Sequence, residues 1–120
     1  MAEDMAGERA RVWKSLRSGV LKLVLLRSIS KGNDYPYSVL KSLKCHSHLP
    51  FGTVSKNEVY NTLNALEKRG YVRSRTVLSG SKAQRHYRLT PQGRSVVRRS
   101  RRIMLQLIKD MKTLVSEFDR

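Results

Sequence analysis

Between Trp13 and Ile29 apolar side chains recur at three- and four-residue steps along two adjacent stripes. Trp13, Leu16, Val20, Leu23 and Val24 form one; Leu21, Leu25 and Ile29 form the other. An amphipathic surface helix needs only one such stripe, so a helix apolar over this much of its circumference must be buried on more than one side. The fold is therefore one in which other elements pack around a central helix, predicted over residues 9–30. Lys31-Gly32-Asn33-Asp34 stops it, with Gly32 suited to the position after a helix end.

The remaining elements follow from their stop and start signals. Tyr35-Pro36-Tyr37 opens a second helix, reaching about Lys44, with Pro36 in the first turn and Val39, Leu40 and Leu43 inside. Residues 45–54 read as irregular, with Pro50 and Gly52 as breakers. Ser55-Lys56-Asn57-Glu58 has the form of a capping box that starts a third helix, which runs to about Arg69 and ends at Gly70. Tyr71–Leu78 and Arg85–Leu89 read as strands, joined by a turn over 79–84, with Val72 and Val77 inward. Thr90 caps a last helix with Pro91 in its first position, reaching about Phe118. Along it, Val97, Met104, Ile108, Met111, Val115 and Phe118 form a heptad-like seam that Leu105, Leu107 and Leu114 widen.

The charge is equally informative. Twenty-five Lys and Arg stand against nine Asp and Glu, a net charge of +16. Three of the nine acids, Glu3, Asp4 and Glu8, fall in the first eight residues, which lack apolar periodicity and read as a flexible acidic N-terminus. Between Arg9 and Asn57 the only acid is Asp34, and Arg94, Arg98, Arg99, Arg101 and Arg102 form a second basic block. Self-repulsion of this size opposes a compact state and points to a polyanionic partner. Disorder is not implied, because 39% of the residues are hydrophobic and fall in periodic blocks.

Other classes are set aside. A lone cysteine, Cys45, cannot build a disulfide scaffold. The longest apolar run, Val20 to Leu26, is interrupted by Lys22 and falls well short of the ~18–20 residues of a membrane span. The N-terminus has no secretory apolar stretch, so a cytoplasmic, nucleoid-associated protein is expected. Nine acids, three histidines and one cysteine offer few bases or nucleophiles, so no enzyme activity and no cofactor are expected. Cys45-His46-Ser47-His48 is the only cluster suggestive of a metal, but adjacent ligands do not match zinc spacings.

The order helix, helix, helix, strand, basic turn, strand, long helix is mainly α with a small β-hairpin. It matches a winged helix-turn-helix over residues 9–90, followed by a C-terminal helix over 91–120. On the third helix Val59, Leu63 and Leu66 face inward. Asn57, Asn61, Asn64 and Lys68 face outward at steps of 4, 3 and 4. Asn is a mediocre helix former, but its amide can pair bidentately with adenine in the major groove. Ser55, Lys56 and Tyr60 flank this face at the helix N-terminus, which itself favours a phosphate. On the hairpin, Ser79, Ser81, Lys82, Gln84, Arg85, His86 and Arg88 are candidates for contacts to the DNA backbone or minor groove. Arg9, Arg11, Lys14 and Arg17 on the first helix are weaker candidates.

Over roughly residues 16–95 the chain resembles the PadR-like winged-helix transcription regulators. The resemblance rests on Leu16-Arg17-Ser18-Gly19, on Tyr37-Ser38-Val39-Leu40-Lys41-Ser42-Leu43, and best on residues 59–72, with Val59-Tyr60, Leu63, Leu66-Glu67 and Gly70. Arg88-Leu89-Thr90-Pro91-Gln92-Gly93-Arg94 closes it. The Leu-Thr-Pro-x-Gly part is shared with MarR-like and other winged-helix proteins. The resemblance implies a homodimer formed by the C-terminal helix packing with the first helix, a palindromic operator in double-stranded DNA, and repression. It places Trp13, Leu16, Met104, Ile108, Met111, Val115 and Phe118 at the dimer interface and Tyr60 at the DNA face. The three asparagines replace smaller residues common on this helix, and the charge is unusually high. Replication terminator and archaeal plasmid-partition proteins share the architecture, so an architectural or partition protein that spreads along DNA is the alternative reading.

Overall fold

The computed structural model describes residues 4–45 and 54–120. Its elements, in chain order, are α1 (Met5–Ser30), α2 (Pro36–Cys45), α3 (Lys56–Lys68), β1 (Val72–Ser79), β2 (Lys82–Leu89) and α4 (Pro91–Phe118). This is a winged helix with a long C-terminal helix. The expected irregular connection between α2 and α3 and the Cys45–His48 cluster fall largely outside the described residues.

Helix α1 is the centre of the molecule. Leu21, Leu25, Leu26 and Ile29 are buried, and they pack with Val39 of α2, Val59, Leu63 and Leu66 of α3, Val72 and Tyr87 of the hairpin, and Val96 of α4. Both α3 and α4 pack against α1, whereas direct contact between α3 and α4 is slight. The two-stripe pattern of α1 has this origin: it carries different partners on its two sides. The helix begins at Met5, not Arg9, because the Asp4 carboxylate accepts from the Gly7 N–H at 3.0 Å. Asp4 and Glu8 thus sit at the helix N-terminus, where negative charge is favoured. Residues 5–8 are helical, although they lack the apolar repeat.

Capping sets the other boundaries. The Ser55 hydroxyl accepts from the Glu58 N–H at 3.1 Å while the Glu58 carboxylate accepts from the Ser55 N–H, the expected capping box. Gly32 and Gly70 follow their helices with φ of 100° and 80°, a conformation glycine adopts without strain. Thr90 joins three elements. Its hydroxyl accepts from the Gly93 N–H at 3.0 Å and donates to the Gly70 carbonyl at 2.6 Å, and its N–H donates to the Tyr71 carbonyl at 3.1 Å. Gly93 lies so close to that strand entry that a Cβ would overlap the carbonyl oxygen of Tyr71. The Thr-Pro-x-Gly motif therefore locks the start of α4 onto the base of the hairpin.

The hairpin departs from expectation in two ways. Its strands pair antiparallel from Val72 opposite Leu89 to Ser79 opposite Lys82, so the loop is only Gly80-Ser81. Gly80 has φ 63° and Ser81 has negative φ, the pattern of a type II′ turn whose twist suits a two-residue hairpin. Ser79, Lys82, Ala83 and Gln84 belong to the strands, not to a turn over 79–84. Second, Val72 is buried but Val77 points to the opposite face. Five residues is an odd spacing, and alternate strand residues face opposite ways.

Helix α4 leaves the body after its first three turns. Its buried residues are Gly93, Val96 and Ser100; Leu107, Ile108, Met111, Leu114, Val115 and Phe118 are exposed on the single chain, Phe118 at 89%. At about 100° per residue these span an arc from the direction of Val96 to about 120° round from it, at Ile108, and Leu105 falls about 60° beyond Ile108. The row is continuous along the helix, with Leu105 at one edge and Leu107 and Leu114 at the other. At the other end of α1, Met5, Val12 and Leu16 are also exposed, beside a half-buried Trp13. No described helix is long and apolar enough to cross a membrane.

Candidate nucleic-acid interface

Helix α3 turns its two faces as the sequence pattern predicts. Val59, Leu63 and Leu66 are at most 1% exposed. Ser55, Lys56, Asn57, Tyr60, Asn61, Asn64 and Lys68 are all exposed on the outer side. The Lys56 ammonium lies 5.9 Å from the centre of the Tyr60 ring, a cation–π distance that positions both side chains at the helix N-terminus. Thr62, on the flank, donates its hydroxyl to the Glu58 carbonyl at 2.7 Å and so faces its own backbone. The outer face is thus an amide-rich strip with a cation at each end. Amides both donate and accept, which is what reading base edges requires.

The placement of α3 depends on an ion pair that sequence reasoning missed. One guanidinium nitrogen of Arg17 donates to both Glu58 carboxylate oxygens, at 2.9 and 2.8 Å. The Arg17 side chain is 7% exposed and that of Glu58 39%. Arg17 is accordingly not a phosphate ligand; it fastens α1 to the first turn of α3. Glu58 serves both the cap and the pair. Arg11 pairs with Glu8 at 3.3 Å on the open surface, where such a pair contributes little. Arg9 and Lys14 are exposed.

On the hairpin, Ser79, Ser81, Lys82, Gln84, Arg85 and Arg88 are exposed, but they do not share one face. Strand alternation puts Lys82, Gln84, His86 and Arg88 on one side with Arg73 and Arg75 of β1. Arg85 lies on the other side, where its Nε donates to Ser74 Oγ at 3.1 Å, across the strands from buried Tyr87. Burial raises the Tyr87 pKa above the usual phenol value, with the nearby Arg85 charge acting in the opposite direction. His86 is not at the tip. It stacks on Tyr35 with ring centres 5.4 Å apart, and its Nδ1 lies 3.3 Å from Asp34 Oδ2. With the Tyr87 N–H donating to the Asp34 carbonyl, these contacts clamp the base of β2 to the α1–α2 turn.

Arg73 and Arg75 were absent from the sequence-based candidates. Their two-residue spacing marks one strand face, but only the register shows Arg73 directly opposite Arg88 and Arg75 opposite His86. Like charges directly opposite each other destabilise a sheet. Here they border a cleft of about 500 Å³ that Arg94, Asp34 and His86 also line. Such a face is suited to an anion. Among the described residues no group of three or more His, Cys, Asp or Glu is placed to hold a metal.

Comparison with known proteins agrees with this geometry. The family model described as the transcriptional regulator PadR-like family matches residues 25–99. The chain is similar to a PadR family transcriptional regulator from Eggerthella lenta, at 26% identity and a TM-score of 0.76, covering 95% of this chain and 97% of that one. It is also similar to Bacillus subtilis PadR, solved in complex with operator DNA, at 26% identity and a TM-score of 0.59, over 66% of this chain and 45% of that one. A putative transcriptional regulator from Thermoplasma acidophilum shares the fold at 19% identity and a TM-score of 0.69, over 85% and 96% of the two chains. No curated protein matches the chain.

Proposed function

The chain belongs to the PadR-like family of transcriptional regulators, and on that premise we propose that it binds a palindromic operator as a homodimer and represses transcription from it. One observation carries this reading: Asn57, Asn61 and Asn64 project together from a helix whose first turn is fixed by Arg17 and Glu58. A reading helix must be held rigidly, because hydrogen bonds to base edges discriminate only when donor and acceptor positions are set in advance. In this reading α3 enters the major groove, Lys56, Tyr60 and Lys68 meet phosphates at its ends, and Ser81, Lys82, Gln84 and Arg85 near the hairpin tip meet the flanking backbone or minor groove. The operator complex of the Bacillus subtilis relative supports it.

The dimer follows from the apolar seam of α4. A continuous row from Met104 to Phe118 on an otherwise charged helix needs a cover, and a second copy offers the matching rows of α4 and of α1 around Trp13 and Leu16. Two-fold pairing sets two α3 helices about 34–36 Å apart, or a multiple of that, along the duplex.

Footprinting of the full-length protein on genomic fragments tests the proposal. It requires one bounded, palindromic protected site. Protection that spreads outward as protein is added would overturn it in favour of a DNA-coating protein.

A further inference from the structure

The basic block of α4 has a direction. At about 100° per residue, Arg98, Arg101, Arg102, Lys109 and Lys112 all lie within about 60° of the direction opposite Val96. All five are exposed, and none forms an ion pair among the described residues. The two acids within the helix, Asp110 and Glu117, fall on the Val96 side instead, and Asp110 accepts from the Gln106 amide at 2.9 Å. One side of α4 is therefore a stripe of cations without an acid, roughly 20 Å long at 1.5 Å per residue. The other side is the apolar seam.

Burying the seam in a dimer leaves this stripe outward. Its position also separates it from the reading helix. Helix α1 packs against both α3 and α4, and Val96 points α4 toward α1, so the stripe faces away from α3. The stripe and the outer face of α3 both turn away from the core that Val96 shares with Val59, Leu63 and Leu66. Arginine-rich rows of this length, with Leu105 among the cations and Ile108 at the edge as the apolar members, match a phosphate backbone better than an inserted lipid surface, which needs a broad apolar face between the cations.

We infer that the outward stripe of α4 is a second duplex-DNA surface, through which a dimer holds one DNA segment on its stripes while α3 occupies another. The contact is to phosphates, without base readout, and is steeply salt-dependent. It uses no residue of α3 or of the hairpin, so the two readings fail separately.

The test is a capture experiment with the full-length protein: a short duplex on beads, and a second, fluorescent duplex of unrelated sequence in solution. Wild type should retain the second duplex on the beads. The variant Arg98→Gln/Arg101→Gln/Arg102→Gln/Lys109→Gln should still bind the first duplex but capture at least about tenfold less of the second, with a salt slope smaller by about three to four for each stripe that contacts it. Gln keeps helix propensity, and sedimentation checks that the dimer persists. The pair Lys109→Gln/Lys112→Gln, far from the packed part of α4, should show a partial loss. Absence of capture by wild type, or equal capture by the variants, would overturn the inference. So would an equal loss of both duplexes, which would assign the stripe to the operator surface. Loss confined to binding of phosphatidylglycerol vesicles would overturn it in favour of a lipid. A wild type that captures DNA but protects no preferred site would sink only the operator reading.

Discussion

Arg17 of α1 and Glu58 of α3, 41 residues apart, meet with one guanidinium nitrogen bonded to both carboxylate oxygens. The two ends differ in burial, and the difference sets the direction of the mutational effects. Glu58→Ala removes the carboxylate that a buried guanidinium bonds to and breaks the capping box, and should cost about 2–3 kcal/mol. Arg17→Met leaves Glu58 facing water and replaces the arginine stem with apolar volume, and should cost roughly 1 kcal/mol or less. Urea unfolding of both variants measures the difference; equal costs would contradict the asymmetry. Because the pair fixes α3, Glu58→Ala should also weaken operator binding more than binding to random DNA.

Asn61 stands at the middle of the outer face of α3. Asn61→Ala should lose roughly 1–3 kcal/mol of preference for operator over random duplex while leaving stability nearly unchanged, since the side chain is exposed. Competition binding gives the ratio. An equal loss on both DNAs would remove Asn61 from base readout.

The hairpin supplies affinity in this scheme. Lys82→Ala and Arg85→Ala should weaken binding to all sequences alike, each lowering the log–log salt slope by about one. Since Lys82 and Arg85 occupy opposite faces of the hairpin, the two measurements also report which face meets the backbone. A slope changed by only one of them orients the wing; no change in either excludes the tip.

Ile108 and Met111 sit in the exposed seam, each 51% accessible on the single chain. Ile108→Glu or Met111→Glu should convert the dimer to monomer, because pairing would bury an unpaired charge. The single-chain fold should survive, since neither residue joins its core. Sedimentation reads the first outcome and circular dichroism the second. A dimer that persists would place the interface elsewhere.

Tyr87 is buried, and its phenol pKa is raised, chiefly by desolvation. In the unfolded chain the phenol ionises near pH 10. Its contribution to stability is therefore fully present below about pH 10 and is lost as pH rises toward the folded pKa, because the unfolded state releases the proton first. Stability of wild type should fall more steeply than that of Tyr87→Phe as pH rises above about 10. Parallel curves would show that the phenol does not couple to folding.

Much of the molecule was legible in local chemistry. The capping box at Ser55–Glu58, the glycines after α1 and α3, and the Thr90-Pro91 start of α4 are decided by residues within four positions of each other. Backbone hydrogen bonding at helix ends is local, so such signals survive without knowledge of the fold. Helical spacing likewise assigned the inner and outer faces of α3 and the seam of α4. At the hairpin the strands extend into residues whose Ser, Lys and Gln composition is turn-like, and the odd spacing of Val72 and Val77 sends them to opposite faces.

What depended on distant parts of the chain could not be read this way. Arg17 looked like one cation among several on α1, and only its burial against Glu58 removed it from the DNA-facing set. His86, a wing candidate by sequence, is held at the base of the wing because Asp34 and Tyr35 come round to meet it. Arg73 and Arg75 became part of a basic face when the strand register set them opposite Arg88 and His86. The sequence by itself determined the elements, their caps and the side of each helix that must be covered, since these rest on periodicity and short-range hydrogen bonds. The tertiary structure alone decided which charges are partnered and which are left for DNA, because pairing a buried charge depends on which distant group the packed core brings within about 3 Å of it.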